Sequence, residues 1–217
     1  MSPRCLTRAF LIGAIFTLGA ASPALACKGA TSLLRDDFKE ANPNWDEYFT
    51  TQQSFVVGGG KVSAKTEPGS FNVLFYQGDF FPAGDACVTI TNPSGVRDPT
   101  DISAGIVLQA DDGSWYMPVI NLDGTAAVER NTSAGWLDPV RARKFAAIKQ
   151  GTNVLRVVWK APPPKGSSTP PDPNVTMFIN DQQFITFKMP PNANRQFGLS
   201  VQSHGHSYQF TNLIITK

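Results

Sequence analysis

The stretch AGIVLQADDGSWYMPVINLDGTAAVER, residues 104–130, decides the fold. Three short runs rich in β-branched and aromatic residues, Ala104–Ala110, Trp115–Asn121 and Thr125–Arg130, are separated by Asp112-Gly113 and Asp123-Gly124. Asp-Gly supplies the positive-φ positions that tight hairpin turns require, so the runs read as consecutive antiparallel strands.

The same phrasing continues on both sides. Upstream lie Ser54–Val57, Lys61–Ala64, Asn72–Tyr76 and Cys87–Thr91; downstream lie Asn153–Lys160, Val175–Asn180, Gln183–Phe187, Gln196–Gln202 and Tyr208–Thr216. Leu155, Val157 and Trp159 alternate with Arg156 and Lys160, a period of two that no helix produces. Asn180-Asp181 separates two apolar runs as a further turn. About a dozen such strands predict an all-β, two-sheet antiparallel sandwich. Pro139–Ile148, which clusters Arg141, Arg143 and Lys144 with Ala146 and Ala147, reads as one peripheral helical turn.

Residues 162–173, PPPKGSSTPPDP, hold six prolines and cannot donate a run of ladder hydrogen bonds. Only 44 residues follow, too few for an independent core without staples. The segment is therefore a stiff excursion between neighbouring strands of one domain, residues 27–217.

The N-terminus has a different character. Arg4 and Arg8 precede an apolar run from Ala9 to Ala21, and the segment ends in Pro23-Ala24-Leu25-Ala26. This is the layout of a secretory signal peptide over residues 1–26, and the apolar run is shorter than the roughly 20 residues of a membrane span. The expected product is periplasmic or secreted, with no integral membrane segment in the mature chain. Arg4 and Arg8 also account for the whole formal charge of +2. The remaining body is neutral, which excludes the electrostatic footprint of a nucleic-acid binder.

Of the three cysteines, Cys5 leaves with the leader. Cys27 and Cys87 remain as an even pair in an oxidising compartment, and a disulfide between them is expected. The competing fate of Cys27, lipid modification at a processed N-terminus, is disfavoured because Ala24-Leu25 stands in the reverse of the usual order.

Several blocks, taken in order, resemble a known group. They are Asp37-Phe38, Trp45 and Val57-Gly58-Gly59-Gly60-Lys61-Val62, then Gly105 through Tyr116 with Asp123-Gly124, then Asn153 through Val157. Phe178-Ile179-Asn180-Asp181, Phe197 through Val201 and Phe210-Thr211-Asn212-Leu213 complete the series. Together they resemble exported concanavalin A-like or laminin-G-like jelly rolls, and bacterial domains of the 3-keto-disaccharide hydrolase-like group with its non-catalytic relatives. The resemblance implies two sheets, one curved, whose concave face binds glycans in many relatives. It leaves catalysis to be argued from the site.

Glycosidases of the usual kind set two carboxyl groups across the scissile bond. After the leader the glutamates are Glu40, Glu47, Glu67 and Glu129, with no Glu-x-Asp strand motif. Glu129 falls on a strand beside Arg130, where a solvated or ion-paired role is the first expectation. His204 and His206 share one face of an extended segment and would suit a metal if a carboxylate joined them. The surrounding Ser203–Ser207 reads as a polar hairpin turn. Asp111, Asp112 and Asp123 sit where turns call for Asp, so calcium is not required to explain them. Asn131-Thr132-Ser133 and Asn174-Val175-Thr176 match a glycosylation sequon.

Gln109, Trp115, Tyr116, Arg130, Trp136, Ser200, Gln202 and His204 are the candidate ligand-binding residues, offering rings, amides and hydroxyls to a sugar. Trp159 belongs to the core, whereas Trp136 follows Gly135 in a loop where its ring would be exposed. No cofactor is expected. The leading expectation is a glycan- or polysaccharide-binding protein that does not cleave its ligand. The alternatives are a 3-keto-glycoside hydrolase or lyase using a histidine-held metal, and an envelope protein that docks another protein.

Overall fold

Alternation governs the strands of the computed structural model, which describes residues 27–50, 53–161, 174–190 and 196–217. In Thr152–Trp159 every second residue from Asn153 to Trp159 is buried while Val154, Arg156 and Val158 are half-buried. The signal peptide expected over residues 1–26 and the proline-rich segment 162–173 lie outside the described residues.

The strands are β1 (Ser32–Asp36), β2 (Tyr48–Phe49), β3 (Ser54–Gly58), β4 (Lys61–Lys65), β5 (Asn72–Phe75), β6 (Gly84–Thr91), β7 (Ser103–Gln109) and β8 (Trp115–Asn121). They continue as β9 (Thr125–Thr132), β10 (Gly135–Lys144), β11 (Thr152–Trp159), β12 (Val175–Ile179), β13 (Gln182–Phe187), β14 (Phe197–Gln202) and β15 (Tyr208–Thr216). No helix occurs among the described residues. One sheet has nine strands, ordered β13-β12-β11-β6-β15-β4-β3-β2 with β1 also on β15; the other has six, ordered β10-β9-β8-β7-β14-β5. Every pairing is antiparallel. The expected antiparallel β-sandwich is present.

The core between the sheets takes Ile106, Leu108, Val128, Leu199 and Val201 from the six-stranded sheet, and Val88, Leu155, Val157, Trp159 and Phe210 from the other. Trp159 is 1% exposed and donates its indole N–H to the Phe81 carbonyl at 2.7 Å. The β12–β13 turn has both Asn180 and Asp181 at positive φ (49° and 65°), the conformation of a two-residue hairpin turn. Asn180 is tolerated there because its side chain accepts from Val154 N and donates to the Ala147 carbonyl.

Two local expectations are not met. The helical turn expected at Pro139–Ile148 is largely strand: β10 carries the chain to Lys144. As the outer strand of its sheet, β10 tolerates Pro139, whose missing N–H falls within a register shift between Leu137 and Val140. Ser203–Ser207 is not a hairpin turn, because β14 and β15 belong to different sheets. It carries the chain across the end of the sandwich, and Ser203 is held there by mutual hydrogen bonds with Thr66.

Cys27 and Cys87 are joined, with S–S 2.01 Å and a sequence separation of 60. Closing a loop of that length contributes about 2–4 kcal/mol through the unfolded chain. A sulfur bonded to Cys87 has no valence left for a lipid thioether. Beside it, on the outer face of the nine-stranded sheet, Arg156 grips Asp85 through Nε and Nη2 at 2.7 and 2.9 Å. Lys28 N donates to the same carboxylate at 2.9 Å.

Candidate functional site

The outer face of the six-stranded sheet is unlike an ordinary solvated surface. Val107, Met117, Val119 and Ala127 lie on it yet are almost fully buried, beneath Phe71, Val73, Phe75 and Trp115. Gly105 and Gly198 make the close layer possible: a Cβ at Gly105 would strike the Pro118 carbonyl, and one at Gly198 would strike Leu74 O and the Val107 side chain. The register carries an aromatic and polar row across the strands, with Gln109 opposite Trp115, Trp115 opposite Asn131 and Asn131 opposite Trp136.

Rings join into a chain over this layer. Trp136 meets Phe71 edge-on, with centroids 4.9 Å apart; Phe71 lies 6.5 Å from Trp115, and Trp115 packs edge-on against Phe75 at 5.4 Å. Trp136 is 50% exposed and the adjacent Leu137 is also exposed. Beside the exposed ring opens a cavity of about 440 Å³ lined by Gly69, Phe71, Glu129, Trp136 and Gln202.

Glu129 is the distinctive group in this cavity. It lies on β9 opposite Met117, hence on the outer face, and is half-buried. Burial, reinforced by the carboxylates of Asp138 and then Asp101, pushes its carboxyl up to about 7. Among the described residues no hydrogen-bond donor or cation is seated on it. Such an acid favours the fold while protonated, fully so below the unfolded value near 4.5, and the benefit disappears as pH rises through about 7. Glu129→Gln should therefore be more stable than the parent at pH 8, by about 2 kcal/mol after allowance for partial solvation. At pH 4 the two should unfold at nearly equal urea concentrations.

The candidate ligand residues divide by face. Trp136 and Gln202 line the cavity, although Trp136 is on a strand and not in a loop. Trp115 and Gln109 share the face through their pairing, and so does Ser200, opposite Gly105 and Val73, with a buried Oγ that has no hydrogen-bond partner among the described residues. Tyr116 and Arg130 do not share this face. Tyr116 follows Trp115 on a strand, so alternation sends it inward, where it stacks on Phe187 at 6.4 Å. Arg130, opposite Tyr116, lies over that ring at 5.0 Å and is paired with Asp112 at 2.7 Å. His204 sits in the crossover turn, within electrostatic reach of Asp98, and does not line the cavity.

The ion-paired or solvated role first expected of Glu129 does not match its surroundings. Its outward direction is readable from the neighbouring core residue Val128, but the acids that flank it come from other segments. Phe71, between a turn and β5, carries no distinguishing pattern. Among the described residues the one group with donors at metal-sharing distance is Cys27, Asp85 and Cys87, and its two sulfurs are joined. Asp112 and Asp123 are engaged by their own turns, through Ser114 N and Thr125 N at 2.9 Å each. No helix of the described residues is long and apolar enough to cross a membrane.

No family model matches the chain, and no curated protein matches it in sequence. Solved structures do match in fold. The carbohydrate-binding module CBM66 from Bacillus subtilis superposes with a TM-score of 0.59 at 11% identity, over 80% of this chain and 96% of the module. The carbohydrate recognition domain of Emp46p in its potassium-bound form gives 0.53 at 10% identity, covering 83% and 94%. A GH43 glycoside hydrolase with an engineered active site that displays both endo-xylanase and exo-arabinofuranosidase activity gives 0.57 at 17% identity, with 92% of this chain on 43% of that one. At these identities the likeness establishes the fold: a jelly-roll β-sandwich of the kind found in carbohydrate-binding modules and glycosidase chains.

Proposed function

We propose that the protein binds a glycan or polysaccharide on the outer face of its six-stranded sheet, without cleaving it, in the periplasm or outside the cell. The observation that carries this reading is the half-exposed Trp136 ring beside Phe71, at the rim of a cavity that also presents Gln202 and Glu129. A pyranose offers an apolar C–H face to such a ring and hydroxyls to an amide and a carboxyl, and few precisely placed polar groups over apolar walls are what small-ligand sites have in common. The carbohydrate-binding roles named for CBM66 and Emp46p support the same reading. The disulfide suits an oxidising compartment.

Affinity electrophoresis checks this directly. The protein should be retarded in gels containing at least one polysaccharide of a panel of neutral and amino glycans, and uniform mobility across the panel would contradict the proposal. A second reading, hydrolysis, draws on Glu129, since an acid protonated near neutrality is suited to donate a proton to a leaving group. Reducing ends released from a retarding polysaccharide would establish it. Among the described residues no carboxylate joins His204 and His206 at metal-sharing distance.

A further inference from the structure

The kind of glycan follows from the charge around the cavity, and the inference rests on the glycan-binding reading above. We propose that the site takes an amino sugar whose nitrogen is unacetylated and positively charged, with the Glu129 carboxylate as the partner of the ammonium and the Trp136 and Phe71 rings beside it. Among the described residues the cavity is lined by one acid, two rings, an amide and a glycine, with no basic side chain. The charged groups acting on Glu129 are Asp138 from β10 and Asp101 from the segment before β7, both acidic.

The bases on the neighbouring strands are directed elsewhere. Arg130 is bound to Asp112 on the opposite face. Arg143 donates to the Phe184 carbonyl at 3.1 Å and covers the Phe184 ring. Lys144 is paired with Asp123, and exposed Arg141 is not among the charges acting on Glu129.

A neutral sugar filling this cavity would hold Glu129 in its protonated form and meet it only as a neutral hydrogen-bonding group. An ammonium instead favours the carboxylate, forms a charge-assisted hydrogen bond with it and is attracted to the faces of aromatic rings. Ser200 lies on the same face, two residues before Gln202 on β14; it is 1% exposed, its hydroxyl has no hydrogen-bond partner among the described residues, and it does not itself line the cavity.

Isothermal titration at pH 7 with fully deacetylated chito-oligosaccharide and with its N-acetylated counterpart of equal length tests the inference. The deacetylated ligand should bind at least about tenfold more tightly. Glu129→Gln should abolish that preference, and added salt should reduce it. If the N-acetylated or a neutral ligand binds as well as the deacetylated one, the amino-sugar inference is overturned and glycan binding stands. If no glycan of any kind binds, both are overturned. A preference that survives in Glu129→Gln, or an equal response to poly-lysine, would show attraction unrelated to the cavity and overturn the inference.

Discussion

Asp85→Ala is expected to destabilise the protein by about 3–5 kcal/mol, because it leaves a buried charge without its partner. The Asp85 and Arg156 side chains are 9% and 11% exposed, and the carboxylate takes two guanidinium N–H groups and Lys28 N. Removing it strands a guanidinium in a site closed by the disulfide, the N-terminal segment and the Phe178 ring, 4.6 Å from the Arg156 carbon. The loss should appear as a lower urea midpoint with unchanged slope. Replacing both partners together, Asp85→Leu with Arg156→Met, should recover most of it, because no unpaired charge then remains buried. A loss below about 1 kcal/mol in the single variant would mean the pair behaves as a solvated surface bridge.

Trp136→Ala should weaken binding of whichever glycan retards the protein by at least about tenfold, the effect of removing a central aromatic contact. The fold should tolerate the change. Trp136 lies on the outer strand of its sheet and is half exposed, so stability should fall by no more than about 1 kcal/mol. Phe71→Ala makes a useful contrast. Phe71 packs against the buried cluster of Val107, Met117, Val119 and Ala127 as well as meeting Trp136, so its replacement should lose stability and affinity together.

Much of the architecture is legible in the chain itself. Period-two alternation places Trp159 in the core, and Asp112-Gly113, Asp123-Gly124 and Asn180-Asp181 mark three real turns. The departures share a cause. Residues 139–148 look helical because Ala and basic residues cluster there, but pairing with β9 makes them strand as far as Lys144, and pairing between segments leaves little local trace. Strands β1 and β2 leave a faint signal because they are short and lie at the margins of the nine-stranded sheet.

The site is legible only in outline. Choosing both Trp115 and Tyr116 as ligand residues conflicts with alternation, which sends adjacent strand residues to opposite faces. For Glu129, local reading offers Arg130 as a partner, whereas Arg130 faces the other way and Asp138 and Asp101 approach from separate segments. Trp136 and Gln202 stand out for their chemistry although they are far apart in the chain; that Phe71 and Glu129 join them at one cavity is a property of the folded sheet alone.

The most direct test of glycan binding at this face is a titration of isotope-labelled protein with an oligosaccharide of the retarding type, followed by amide and indole NMR shifts. The account predicts saturating shifts at the Trp136 indole N–H and at the backbone of Phe71, Glu129 and Gln202, with the nine-stranded sheet around Asp85 and Arg156 undisturbed. Shifts confined to the nine-stranded sheet, or a titration that leaves the Trp136 indole unmoved, would contradict it.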